Sequence, residues 1–256
     1  MGHVITFAQQ KGGAGKTTMA AHLAAAWAEA GRSVALVDLD PQQSLTRWAK
    51  LRADPAIEVI ESKDYRAAGD LRSAKRTHDF VLVDCPGAAS SLLESAMRES
   101  DLVVAPCQPS VMDVWALESV VATAARLRRP VRILLNRMPA RLGSLDEVLG
   151  ALGDSRALLL ASQIGNRNGF SRAMLSGRTA PELAPRGEES SIVRRSHAGL
   201  LATTFARSAQ LNRGRGSGGL AAGLRFVGIL TRLGWDEVRV PRRLATPLAL
   251  AGRAER

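Results

Sequence analysis

The stretch Gln10-Lys11-Gly12-Gly13-Ala14-Gly15-Lys16-Thr17-Thr18 constrains the fold more than any other part of the chain. An apolar run, His3 to Ala8, precedes it and reads as a buried strand. Behind it, Met19, Ala20, Leu23, Ala24, Trp27 and Ala30 recur at three- and four-residue spacing, which predicts a helix over Thr17–Ala30 that Gly31 stops. In a strand, glycine loop and helix arranged this way, the glycines let backbone N–H groups turn inward around a phosphate. The helix N-terminus adds unpaired donors and a positive dipole end. Lys16 then reaches the outer phosphates, and the Thr17 hydroxyl ligates magnesium.

The rest of the body repeats the alternation. Apolar runs at Ser33–Asp38, Ile57–Glu61, Phe80–Asp84, Leu102–Ala105, Val131–Leu135 and Leu158–Ala161 predict strands. Helices are predicted between them at Leu45–Leu51, Tyr65–Arg76, Ser90–Glu99, Val111–Arg128 and Leu145–Leu152. Strands without strict polar alternation, separated by helices, indicate a mostly parallel sheet covered on both faces, and ligands of such sheets sit at the carboxyl ends of the strands. The loop glycines, Asp40, Asp84 and Asn136 all fall at such ends.

Composition narrows the function classes. With 256 residues, one α/β domain and an extra segment are accommodated. The cysteines, Cys85 and Cys107, have no spacing that suggests a disulfide framework or a zinc site, and the four histidines are scattered. A reducing cytoplasm is expected, without a signal peptide, and no apolar run reaches the roughly 20 residues of a membrane span. The net charge of +11 invites a polyanion partner, yet Arg186–Arg256, with 13 arginines, no lysines and 5 acidic residues, carries +8 of it.

The common phosphate-loop pattern requires glycine where this chain has Gln10. Instead it reads Lys-Gly-Gly-Ala-Gly-Lys-Thr-Thr, with a second lysine, Lys11. This resembles the deviant P-loop of the ParA/MinD family of partition and positioning ATPases. Asp38-Leu39-Asp40-Pro41-Gln42 and Val83-Asp84-Cys85-Pro86 strengthen the resemblance, which extends over about residues 1–183. It implies a P-loop ATPase domain over residues 1–186 that binds ATP and Mg2+ through Lys11, Gly12, Gly13, Ala14, Gly15, Lys16, Thr17 and Thr18. Asp40 would position the attacking water, Asp84 and Asp38 would support the magnesium shell, and Asn136 would read adenine. Lys11 would cross to the nucleotide of a partner subunit, neutralising charge that grows on the transferring phosphoryl group, so that ATP acts as the glue of a homodimer.

The resemblance further implies slow, partner-stimulated hydrolysis, non-specific DNA binding, and positioning of a plasmid, chromosome region or protein cargo through an unidentified adaptor. The protein would then be cytoplasmic and nucleoid-associated in its ATP state. Arg167, Arg172 and Arg178 lie where family members place a helix near the nucleic-acid face. Arg126, Arg128 and Arg129, at a predicted helix C-terminus, read as a solvated face. Two other readings stay open. A membrane-cycling regulator like MinD ends in a basic amphipathic helix, for which Leu224–Trp235 is a poor candidate because of its glycines. A metabolic ATP-dependent ligase or reductase of the same fold would need a small substrate or cluster-ligating cysteines. Residues 187–256, rich in glycine and arginine and without periodicity beyond Leu220–Leu233, are expected to be a weakly ordered basic tail, either a DNA-binding arm or the product of a shifted reading frame.

Overall fold

Burial along whole strands shows which part of the chain forms the centre of the sheet. In the computed structural model, which describes residues 2–62, 65–87, 90–139, 145–187 and 193, β2 (Val34–Asp38), β4 (Phe80–Asp84) and β5 (Leu102–Cys107) are buried at every position. In β1 (His3–Phe7) only His3 is half-exposed. Strands apolar on both faces need helices on both faces, and this forces parallel pairing with helical crossovers. β3 (Ile57–Glu61), β6 (Val131–Met138) and β7 (Leu159–Gly165) complete a seven-stranded sheet in the order β3-β2-β4-β1-β5-β6-β7, every pair parallel. The α/β architecture is thus the one expected.

The helices are α1 (Lys16–Glu29), α2 (Ser44–Arg52), α3 (Ala67–Thr77), α4 (Ser91–Glu99), α5 (Val111–Arg126), α6 (Leu145–Ala151), α7 (Asn168–Met174) and α8 (Ala180–Leu183), with a 3-10 segment at Gly153–Leu158. The side chains of Val4, Val37, Val83, Val103 and Ile133 pack with those of α3 to α6 in one continuous core. Against the other face, Trp27 of α1 stacks on Phe80 of β4 with ring centroids 4.2 Å apart.

α7 and α8 were not predicted from periodicity, because each is too short to show a stripe. Their docking explains them. The Trp48 indole N–H donates to the Arg178 carbonyl at 3.1 Å, and Arg52 pairs with Glu182 at 2.9 Å. Gly177, at φ +66, lets the turn approach α2 so closely that a Cβ there would stand 2.4 Å from the Arg52 amide nitrogen. On α1, buried His22 accepts from the Ala180 N–H through Nε2, so its Nδ1 carries the proton and donates to the Thr18 carbonyl at 2.8 Å. Burial lowers its pKa to about 4, which keeps the ring neutral. β5, β6 and β7 each run beyond their expected ends. Apart from Gly187 and Val193, the expected tail, with Leu220–Leu233 and Leu224–Trp235, lies outside the described residues.

Candidate functional site

The strand order brings three carboxyl ends side by side. Phe7 is in register with Asp84, and Asp84 with Asp38, so the glycine loop leaving β1 faces two aspartates from adjacent strands. Gly13 (φ +77) and Gly15 (φ +99) occupy the left-handed region, where glycine is favoured. Gly15 is also the N-cap of α1, with no side-chain cap, which leaves the first-turn N–H groups available to an anion. Gly12 and Gly13 are exposed, Ala14 is buried, and Thr17 and Thr18 are half-buried. Lys16 lies almost wholly buried at the first helical position, and its ammonium faces Gly87 beyond β4.

The Thr17 hydroxyl donates to Asp84 Oδ2 at 2.6 Å. Asp84 is fully buried, and its other oxygen, Oδ1, has no hydrogen-bond partner. Burial pushes its pKa up to about 7, with Thr17 and Lys16 opposing and Asp38 and Asp40 adding to the rise. A carboxylate oxygen left bare at such depth calls for a cation or a cation-held water. A hydroxyl and a carboxylate beside a phosphate loop are also the hard oxygen donors that magnesium prefers. The residues present therefore fit magnesium, although no cluster of three or more His, Cys, Asp or Glu ligands occurs among the described residues.

Asp38 differs from Asp84 in having protein partners for both oxygens. Oδ2 accepts from the Thr46 N–H at 2.9 Å and its hydroxyl at 3.0 Å, while Oδ1 accepts from the Asp40 N–H at 3.1 Å. It thus ties the Asp40 loop to α2. Half-buried Asp40 accepts from the Gln42 N–H through Oδ1 at 2.9 Å, leaving Oδ2 available, and Gln43 follows at φ +51. A non-glycine residue held in that region marks local strain, which collects at functional loops. Asn136 sits against the underside of the glycine loop. One amide N–H donates to the Ala14 carbonyl at 2.7 Å, and its oxygen accepts from the Arg137 N–H at 2.9 Å. The second amide N–H remains for a base.

Lys11 Nζ pairs with Asp113 Oδ2 at 2.5 Å, within its own chain. Arg167 is half-buried ahead of α7, Arg172 is exposed in the last turn of α7, and Arg178 is exposed between α7 and α8, donating to the Glu182 carbonyl. Arg126 pairs with Glu94. Cys85 is fully buried and its thiol is pushed up by burial, which suits packing rather than reaction.

Residues 5–180 match the CobQ/CobB/MinD/ParA nucleotide binding domain. The chain belongs to this family. As a ParA/MinD-family ATPase it is similar to the maintenance of carboxysome distribution protein A of Halothiobacillus neapolitanus, 29% identical over 194 residues that cover 72% of this chain and 88% of that protein. It is similar also to the chromosome-partitioning ATPase Soj of Thermus thermophilus, 35% identical over 185 residues, 60% of this chain and 71% of that one. In fold it resembles the MinD cell division protein of Aquifex aeolicus, with a TM-score of 0.66 at 17% identity over 78% of this chain and 97% of that chain.

Three residues of the ATPase site escaped the sequence reading. Buried Gln9 accepts from the Gln10 N–H and donates to the Pro106 carbonyl, so it clamps the loop's start to the end of β5. Gln108 donates to the Gly13 carbonyl at 3.1 Å. Asp113 was legible in part, since Ser110-x-x-Asp113 is a helix-capping signature.

Gly15 yields a direct prediction for this ATPase. A Cβ there would stand 2.2 Å from Asn136 Nδ2 on a backbone at φ +99. Gly15→Ala should therefore lower stability by about 1–3 kcal/mol and displace the Asn136 amide from Ala14. Thermal unfolding reads the first effect and nucleotide titration the second. A variant with unchanged melting temperature and nucleotide affinity would show that the loop does not need this conformation.

Proposed function

We propose that this ATPase binds ATP with magnesium, pairs with a second copy of itself across the nucleotide, and in that state binds DNA non-specifically to position a genetic or protein cargo. The arrangement that carries the reading is a loop with two lysines in different environments. Lys16 is buried toward the phosphates, and Lys11 is 42% exposed at the loop's rim, where a second subunit can be reached. The α5 surface beside Lys11 presents Met112 and Trp115, 61% and 58% exposed, the apolar surface a protein interface covers. Within one chain, Lys16 and the α1 N–H groups hold phosphate, Asn136 offers an N–H to adenine, and Asp40 orients the attacking water. Thr17 and Asp84 would hold magnesium, directly and through water, with Asp38 fixing their neighbour Asp40. The ion would neutralise charge on the phosphates.

Exposed Arg172 and Arg178 lie on the segment that Trp48 and Arg52 of α2 fasten to the Asp40 loop, which gives nucleotide state a route to a basic surface. Phosphate-directed binding there would be sequence-independent and steeply salt-sensitive. The names of the relatives, carboxysome distribution and chromosome partitioning, are of the same kind as the proposed positioning role.

Asp40→Ala tests the reading. With ATP the variant should still associate and bind DNA, while turnover falls about a hundredfold or more. Co-sedimentation with DNA fragments or with anionic liposomes separates the two positioning classes. Binding to liposomes alone would favour membrane cycling, and no described helix is long and apolar enough to cross a membrane. Rapid turnover by the variant would show that Asp40 does not position the water.

A further inference from the structure

We propose that Asp113 is a positioning residue for Lys11: it holds the lysine within its own chain, and every ATP-dependent association of two chains must first release it. The inference rests on the reading of Lys11 as a group that acts across a dimer.

The two partners differ in freedom. Lys11 is 42% exposed and its flexible side chain can leave, whereas Asp113 is 1% exposed and cannot follow. Asp113 sits in the first turn of α5 and is fixed there by Ser110. The Ser110 hydroxyl accepts from the Asp113 N–H at 3.2 Å and donates to its Oδ2 at 2.5 Å. Buried Gln9 reaches the Asp113 carbonyl from the loop side at 3.5 Å. Oδ1 is buried without a partner, and Lys11 is the one cation in ion-pair contact with this carboxylate among the described residues.

Moving Lys11 to a neighbouring subunit would therefore strand a buried carboxylate with one hydroxyl as its support. Breaking a buried pair in this way is strongly unfavourable, because the remaining charge has lost both water and partner. Only chains in which Lys11 is released can present it to another subunit, so the apparent association constant is the intrinsic one reduced by the released fraction. ATP phosphates supply a competing anion for the lysine. Asp113 in this way sets the concentration at which ATP assembles the protein, without touching the nucleotide.

Asp113 also caps α5, and a cap alone would explain its burial. Asp113→Asn separates the two roles, since the amide oxygen still accepts from Ser110 while the charge is gone. Sedimentation of the full chain with magnesium and a non-hydrolysable ATP analogue should then show association at a protein concentration about tenfold lower than wild type. Asp113→Ser, which keeps a capping hydroxyl, should shift it in the same direction. Lys11→Ala should not associate, and adding Asp113→Asn to it should not restore association.

Thermal unfolding without nucleotide reads the contact in the single chain. Lys11→Ala should melt several degrees below wild type, and Asp113→Asn in that background should recover most of the loss. If Lys11→Ala fails to associate, yet Asp113→Asn and Asp113→Ser associate at the wild-type concentration or above it, Asp113 does not restrain Lys11 and the trans-lysine reading stands. If Lys11→Ala associates normally with the analogue, the trans-lysine reading falls and this inference falls with it.

Discussion

Replacing Lys16 with alanine is expected to weaken ATP binding by about a hundred- to a thousandfold, the equivalent of roughly 3–4 kcal/mol. The ammonium lies at the first helical position behind a left-handed Gly15, buried to 7% exposure and aimed across the loop toward Gly87. Shielded from water, its hydrogen bonds to phosphate oxygens are charge-assisted, each contributing about 1.5–3 kcal/mol. Alanine removes them but leaves the backbone N–H groups in place. Isothermal titration with ATP and magnesium measures the loss, and an unchanged circular dichroism spectrum shows that the fold is intact. Affinity within threefold of wild type would mean that the phosphates lie elsewhere.

Asp84→Asn is expected to move stability and activity in opposite directions. In the nucleotide-free chain the Asp84 pKa is raised from 3.8 to about 7, mainly by burial. Because the folded state binds this proton more tightly than the unfolded state, the group's contribution is most favourable below the unfolded value and is lost as pH rises through about 7. Above that pH the protein carries a buried carboxylate whose Oδ1 has no partner. Asparagine has no such charge and still accepts the Thr17 hydroxyl. The variant should be more stable by about 2–4 kcal/mol near pH 8, with the gain shrinking as pH falls toward about 4. Magnesium-dependent turnover should be lost at the same time, as when a strained functional group is relieved. Chemical denaturation at several pH values and an ATPase assay check both parts. A stabilisation that does not change with pH would show that Asp84 is not held neutral in the free protein.

Much of this site can be read from local pattern. Gly13 and Gly15 stand where the backbone adopts positive φ, and the apolar run before them and the stripe after them become β1 and α1 within two residues of their expected ends. Asp40 and Asp84 follow buried runs and come to lie at strand ends as anticipated. The reason is physical: backbone conformations permitted by glycine, and burial patterns of period 2 or 3.6, are decided by neighbours a few residues apart. Where the signal was short it failed. α7 and α8 cannot show a stripe, and their places depend on Trp48, Arg52 and His22, residues that local pattern assigns merely to other helices.

The sequence by itself thus determined the fold class, the phosphate loop and the residue types around it. Tertiary structure alone decided how those residues are engaged. Asp38 has protein donors on both oxygens while Asp84 keeps one bare, though both end buried strands with similar sequences. Asn136 braces Ala14, and Lys11 meets Asp113, across more than a hundred residues of chain. Such partners are set by the strand order β3-β2-β4-β1-β5-β6-β7, which places β1 between β4 and β5 and so puts the loop beside Asp84 on one side and the start of α5 on the other. No local periodicity encodes that order, because it arises from burying both faces of one sheet at once.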